Sequence, residues 1–229
     1  MALLLTETKG TGIIMKYTLA VFDLDGTILD TLDDLADSLN HVLALHGYPQ
    51  KTREEVRAMV GNGIRRLIER ALPQGEDLAA ESVYQEFLSY YQKHCADRTR
   101  PYEGIVRLLG TLRAAGCMTA VVSNKADVAV QELCRRYFDG LFDLAMGARD
   151  DIPKKPAPDT VYSVLEKLGV PREKAVYIGD SEVDIATAAN AGMDSIIVTW
   201  GFREKVFLRE RGANILADEP SQLEALILH

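Results

Sequence analysis

No stretch of this 229-residue chain approaches the roughly 20 consecutive apolar residues that a membrane-spanning helix needs, so no membrane partner is expected. The first residues carry a short apolar run, 2–5, with no basic region before it, which does not read as a secretory signal. Cysteine is scarce: Cys95, Cys117 and Cys134 are odd in number, scattered, and in no C-x-x-C spacing. That pattern fits buried free thiols in a reducing, cytoplasmic compartment better than a disulfide framework or a zinc site. The four histidines, His41, His46, His94 and His229, form no H-x-x-x-H pair and no Cys/His cluster, so they are expected on the surface or in the core. Positive charge is also in deficit, with 26 Lys and Arg against 34 Asp and Glu for a net charge of −8 and no basic run. Nucleic acid is therefore not the expected main partner. A small phosphorylated ligand remains compatible, because the field inside a pocket need not follow the net charge. Internal repeats and low-complexity segments are absent.

What is present is an ordinary globular composition, 47% hydrophobic and 26% charged, on a chain long enough for one large domain or one domain with an insertion. Short apolar runs at residues 17–22, 118–122, 142–146, 175–178, 195–199 and, more weakly, 214–217 read as buried strands. Helical periodicity separates them: Ile105, Leu108, Leu109 and Leu112 mark one helix, and Val130, Leu133, Cys134 and Tyr137 the next. Strands alternating with helices of this length imply right-handed crossovers and a mostly parallel sheet covered on both faces, an α/β class. Residues 32 to about 98 break the alternation. Apolar stripes run through Leu32–Leu43 (Leu32, Leu35, Ala36, Leu39), through Ile64, Leu67, Ile68 and Ala71, and through Val83, Phe87, Tyr90 and Tyr91. Three or four consecutive helices cannot sit inside a strand–helix–strand unit. They predict a helical subdomain, 32–98, inserted into a core made of residues 15–31 and 99–229, with linkers near 28–32 and 97–103. Residues 1–14 precede the first convincing strand and are expected to be an extension.

Four polar clusters lie at or near the ends of these elements. Asp23-Leu24-Asp25-Gly26-Thr27 ends the first strand, where ligands of open parallel sheets bind. Two carboxylates at i and i+2 point the same way in extended backbone and repel, so one takes a proton or both share a cation. Ser123-Asn124 follows the second strand, and Lys154-Lys155-Pro156 precedes a helical segment. Gly179-Asp180-Ser181-Glu182-Val183-Asp184 follows a further strand. Each alone has a plain structural reading: Ser123 as a helix cap, the lysines as solvated loop charges, Asp180 as an N-cap, Asp184 as a first-turn acid. Four coincident clusters of complementary chemistry are harder to explain as caps.

These motifs, in this order and spacing, resemble the four motifs of the haloacid dehalogenase superfamily, from about Tyr17 to the chain's end. The resemblance implies a three-layer, Rossmann-like α/β core with an inserted helical cap and a magnesium-dependent phosphatase. Asp23 would attack phosphorus and form an aspartyl-phosphate, and Asp25 would act as general acid and then base. Mg²⁺ would be held by Asp23, the main-chain carbonyl of Asp25, Asp180 and, directly or through water, Asp184. Thr27, Ser123 and Asn124 would contact phosphate oxygens. Lys155 would balance charge there; it is preferred over Lys154 because the family's lysine directly precedes proline. An acid at position 25 argues for phosphoryl transfer over dehalogenation, since halide leaves without a proton.

Selectivity is expected from the insertion. Gly61-Asn62-Gly63 precedes a helix bearing Arg65, Arg66 and Arg70, and backbone N–H groups exposed at such a turn make an anion cradle. The arginines also fit a solvated helix face. With Ser123-Asn124-Lys125, Pro101-Tyr102 and Thr199-Trp200-Gly201, this stretch is similar to phosphoglycolate phosphatases, and Gly61, Asn62, Gly63 and Arg66 are the substrate-binding candidates. Trp200 and Tyr102 are read as packing or wall residues. The alternatives are a phosphosugar mutase, action on pyrophosphate or a nucleotide, or a non-catalytic phospho-receiver. The expected partner is a small phosphorylated metabolite, and the chain is expected to be a monomer or homodimer.

Overall fold

The structure is a computed structural model that describes residues 15–76 and 79–229. The extension expected over residues 1–14 lies outside the described residues. Six parallel strands form the main sheet: β1 (Leu19–Phe22), β4 (Met118–Ala126), β5 (Leu144–Ala148), β6 (Ala175–Gly179), β7 (Asp194–Val198) and β8 (Leu216–Ala217). Their spatial order is β5-β4-β1-β6-β7-β8. Strand β1 is central, in register with both neighbours: Phe22 lies opposite Val121 on one side and Ile178 on the other. All four of its residues are buried, as expected where both faces are covered.

The alternation of side chains across the sheet divides the core in two. Ala20, Phe22, Val121, Val176 and Ile178 face one cluster, shared with α5 (Ile105–Ala114), α6 (Asp127–Phe138) and α10 (Pro220–Leu228). Leu19, Val21, Ala120, Val122 and Tyr177 face the other, shared with α7 (Asp159–Leu168) and α8 (Glu182–Ala191). Helix α9 (Lys205–Glu210) packs Leu208 against Ile197 of β7. The fold is the expected α/β class with helices on both faces of a parallel sheet.

The insertion folds as four helices: α1 (Leu32–Leu45), α2 (Arg53–Met59), α3 (Ile64–Ala71) and α4 (Ala80–His94). Leu39, Val42, Leu43, Val56, Leu67, Val83 and Phe87 are essentially inaccessible and form a separate cluster, into which Phe202 of the core reaches. Helix α2 had no apolar stripe to announce it. A capping box starts it: Glu55 N donates to Thr52 Oγ1 at 3.2 Å while Thr52 N donates to Glu55 at 2.7 Å.

Where the sequence predicts two linkers, the structure pairs them. Strands β2 (Leu29–Asp30) and β3 (Arg100–Pro101) run antiparallel as a two-residue ribbon, so both crossings lie side by side. The Asp34 carboxylate, 2% exposed, accepts from the backbone N–H of Arg98 and of Thr99 at 2.8–3.1 Å, tying the start of α1 to the return crossing. Among the described residues, no helix is long and apolar enough to cross a membrane.

Candidate active site

The polar clusters meet at the carboxyl edge of the sheet. Asp23 directly follows β1, and its N–H donates to Ile178 O at 2.8 Å, which fixes it against β6. Gly26 then turns the chain with φ +87°, a conformation only glycine adopts cheaply, and a Cβ there would sit 2.5 Å from Asp180 Oδ2. The turn and the end of β6 are thus packed on each other. Asp184 works as the N3 partner of a capping box at the start of α8: its Oδ2 accepts from Ser181 Oγ at 2.6 Å and from the N–H groups of Asp180 and Ser181 at 3.2 Å.

Strand β4 outruns its expected end at Val122. Val122 pairs with Met146 and Ala126 with Ala148, so four steps along β4 match two along β5 and two extra residues bulge. A bulge displaces side chains relative to the regular ladder, and this one carries Ser123, Asn124 and Lys125 to the site. Asn124 holds the third cluster in place: its Oδ1 accepts from Lys155 N at 2.8 Å and its Nδ2 donates to Lys155 O at 3.1 Å. Lys155 is buried and Lys154 exposed.

Charge explains the arrangement. Carboxylate oxygens of Asp23, Asp180 and Asp184 lie within 4.8 Å of one another, all buried. One ammonium stands among them, Lys155 Nζ, at 2.8 Å from both Asp23 Oδ1 and Asp184 Oδ1. With all three ionised, three carboxylates against one ammonium would leave a local charge of −2 in a dry environment. Burial, more than any neighbour, pushes Asp23 up from 3.8 to about 7, with the Lys155 ammonium opposing and Asp184 adding to the rise. Asp180 is likewise raised, by burial and then by Asp184 and Asp23. A divalent cation fits this cluster, since hard oxygen donors converge there and its charge offsets the excess. Asp184 is the least free to reach it: Oδ1 takes Lys155 and Tyr177, and Oδ2 takes Ser181.

A cavity of about 60 Å³ opens above these groups. Asp23, Asp25, Ser123, Asn124, Lys125 and Lys155 form its floor, and Gly61 and Gly63 part of its roof. Other expected contacts lie elsewhere. Thr27 is fully buried and donates its hydroxyl to Asp180 Oδ1 at 3.2 Å. Asn62 accepts from Arg70, and Arg66 pairs with Glu69 at 2.6 Å with its side chain two-thirds exposed. Trp200 donates from Nε1 to Thr27 O at 3.0 Å and sits 6.5 Å from the Tyr102 ring, a packing role as expected.

Three participants escaped the sequence reading. Lys125 Nζ lies 2.9 Å from Asp25 Oδ1 and 2.6 Å from the Tyr91 hydroxyl, and Phe202 N donates to Asp180 Oδ2 at 2.7 Å. Lys125 was visible only as the third letter of Ser123-Asn124-Lys125, past a strand end placed too early. Tyr91 was legible only as one member of an apolar stripe. Phe202 contributes a backbone group, which no residue type signals.

A family model describing haloacid dehalogenase-like hydrolases matches residues 20–198. The phosphoglycolate phosphatase of Agrobacterium fabrum is 34% identical over 81% of this chain and 82% of its own. The N-acetylmuramic acid 6-phosphate phosphatase of Pseudomonas aeruginosa is 31% identical over 91% and 94%. A crystal structure from Lactobacillus delbrueckii subsp. bulgaricus, of a proposed phosphoglycolate phosphatase, superposes with a TM-score of 0.89 at 40% identity, covering 93% of this chain and 99% of that one. The chain belongs to the haloacid dehalogenase-like hydrolase family and is an enzyme of its phosphatase branch.

Proposed function

We propose that this enzyme hydrolyses 2-phosphoglycolate through an aspartyl-phosphate on Asp23, with Mg²⁺ as cofactor. The observation that carries this reading is the pairing of two carboxylates with different surroundings on one cavity floor: Asp23 held by Lys155, and Asp25 held by Lys125. Mg²⁺ held by Asp23 and Asp180, with the Asp25 main-chain carbonyl, would neutralise the carboxylate cluster and the incoming phosphate. Asp184 supports the site by orienting Lys155 and the start of α8.

In the first step an Asp23 oxygen forms a bond to phosphorus, the ester P–O bond breaks, and the departing oxygen takes a proton from Asp25. In the second, water attacks phosphorus, the aspartyl P–O bond breaks, and Asp25 recovers the proton from that water. Ser123 and the N–H groups of the β4 bulge face the phosphate oxygens, and Lys155 balances their charge. Thr27 acts on Asp180 and Asn124 on Lys155, so both support the phosphate site indirectly. The helices of residues 32–98 act as a cap, whose Gly61-Asn62-Gly63 turn closes over the substrate and excludes bulk water.

The small cavity and the phosphoglycolate phosphatase relatives support a short substrate. The N-acetylmuramic acid 6-phosphate phosphatase favours a second reading, a sugar phosphate. Three buried, unpaired thiols support a cytoplasmic setting. The test is Mg²⁺-dependent phosphate release from 2-phosphoglycolate beside sugar phosphates, nucleotides and pyrophosphate. Preference for 2-phosphoglycolate is expected. Preference for a bulky sugar phosphate would overturn the substrate, and conversion to an isomer without free phosphate would make the enzyme a mutase.

A further inference from the structure

Lys125 is a long cationic side chain kept 97% out of solvent, with its side chain only 3% exposed. Burying an ammonium is costly unless charge and hydrogen bonds compensate. Two groups do so here. The Asp25 carboxylate accepts at 2.9 Å, and the Tyr91 hydroxyl at 2.6 Å, with the ammonium also 4.7 Å from the centre of the Tyr91 ring. Burial works against the charge, but Asp25 and then Tyr91 outweigh it and keep Lys125 an ammonium. The three groups come from three parts of the fold: Asp25 from the turn after β1, Lys125 from the β4 bulge, and Tyr91 from α4 of the helical insertion.

Proton transfer depends on where the carboxyl oxygens of Asp25 point. A free aspartate samples several rotamers, and a transfer geometry missed by 1 Å is slow. Lys125 restrains Oδ1, which leaves Oδ2 with no hydrogen-bond partner among the described residues and available to carry the proton. We propose that Lys125 is the positioning residue of Asp25, and that Tyr91 in turn fixes Lys125 from the helical insertion. The proposal rests on the acid–base reading of Asp25. When the ester P–O bond breaks, the proton leaves Asp25 Oδ2 for the departing oxygen, while Lys125 stays hydrogen-bonded to Oδ1. Lys125 keeps its own three protons throughout.

This arrangement makes a demand that a packing role does not. An alkyl ester needs its leaving oxygen protonated, whereas the phenolate of p-nitrophenyl phosphate departs without a proton. The experiment measures kcat and KM on both, using the alkyl phosphate turned over best by the wild type. For Lys125→Met, kcat on the alkyl ester is expected to fall by about 10–100-fold, with far less loss on the aryl ester and little change in KM. Lys125→Arg should recover part of the loss, and Tyr91→Phe should show a smaller loss in the same direction. If Lys125→Met fails to fold, those two variants carry the test, since each keeps most of the packing. Equal losses on both esters, a change confined to KM, or no loss would overturn the proposal. Asp25→Asn separates the two layers of the argument: if it treats both esters alike, the acid–base reading of Asp25 fails first and the role of Lys125 falls with it.

Discussion

Asp23 carries the conflict that defines the site, a carboxylate that must be anionic to react yet is buried beside two others. Its folded value of about 7, against 3.8 ordinarily, means the metal-free folded chain holds a proton that the unfolded chain releases. Between those values stability falls as pH rises, because the folded state binds more protons. Asp23→Asn is therefore expected to stabilise the metal-free protein at pH 8 relative to wild type, by on the order of 1–3 kcal/mol, and by much less at pH 4. Melting curves with chelator at the two pH values check this. The same variant should lose turnover entirely. Mg²⁺ should stabilise the wild type, by about 2.7 kcal/mol at a hundredfold excess over its dissociation constant, and Asp23→Asn much less. A wild-type melting temperature unmoved by Mg²⁺ would count against the cation site. At this scale the sequence was informative where chemistry requires a particular side chain in a particular order: Asp23, Asp25, Lys155, Asp180 and Asp184 all stand at the site. It was less informative for Arg66, because a charge on an exposed helix face reads the same whether it meets a ligand or a neighbour such as Glu69.

Elements were legible in proportion to their apolar periodicity. Five of the main-sheet strands fall within about two residues of the runs that announced them, since a strand buried on both faces must be continuously apolar. The paired linkers β2 and β3 were not legible, being two residues each and polar in part. They matter because every motion of the helical insertion passes through them. Asp34 is the brace at this crossing, and Asp34→Ala leaves the Arg98 and Thr99 N–H groups without their acceptor. A loss of about 1–3 kcal/mol in urea unfolding is expected, with turnover reduced at saturating substrate. Unchanged stability would mean the crossing is held without Asp34, by the β2–β3 ribbon and by the pairs of Arg98 with Asp33 and Asp37.

Across the whole molecule, two arginines join the insertion to the core in opposite directions. Arg57 of α2 donates to Phe202 O and Gly201 O at 2.9 and 3.0 Å. Arg203 of the core donates to Arg57 O and Val60 O at 3.0 and 2.8 Å, and pairs with Glu182 at 2.8 Å. The clasp holds the turn at Gly61 over the cavity and steadies the loop whose Phe202 N–H binds Asp180. Arg57→Ala is the cleaner probe, since removing Arg203 also strips Glu182 of its partner. Losing about 1 kcal/mol of closing free energy should raise KM by up to about fivefold and lower the unfolding free energy by no more than about 1 kcal/mol. A KM equal to that of the wild type would show that closure does not depend on the clasp.

Read alone, the sequence yields the α/β core and puts acidic, hydroxyl and lysine groups at the strand ends. These follow from local periodicity and from residue types that the chemistry cannot replace. Only the tertiary structure decided that Thr27 serves Asp180, that Lys125 and Tyr91 flank Asp25, and that the arginines at 57 and 203 interlock. Each of those depends on which buried polar group finds which partner across the chain, and hydrogen-bond pairing at long sequence separation leaves no periodic trace.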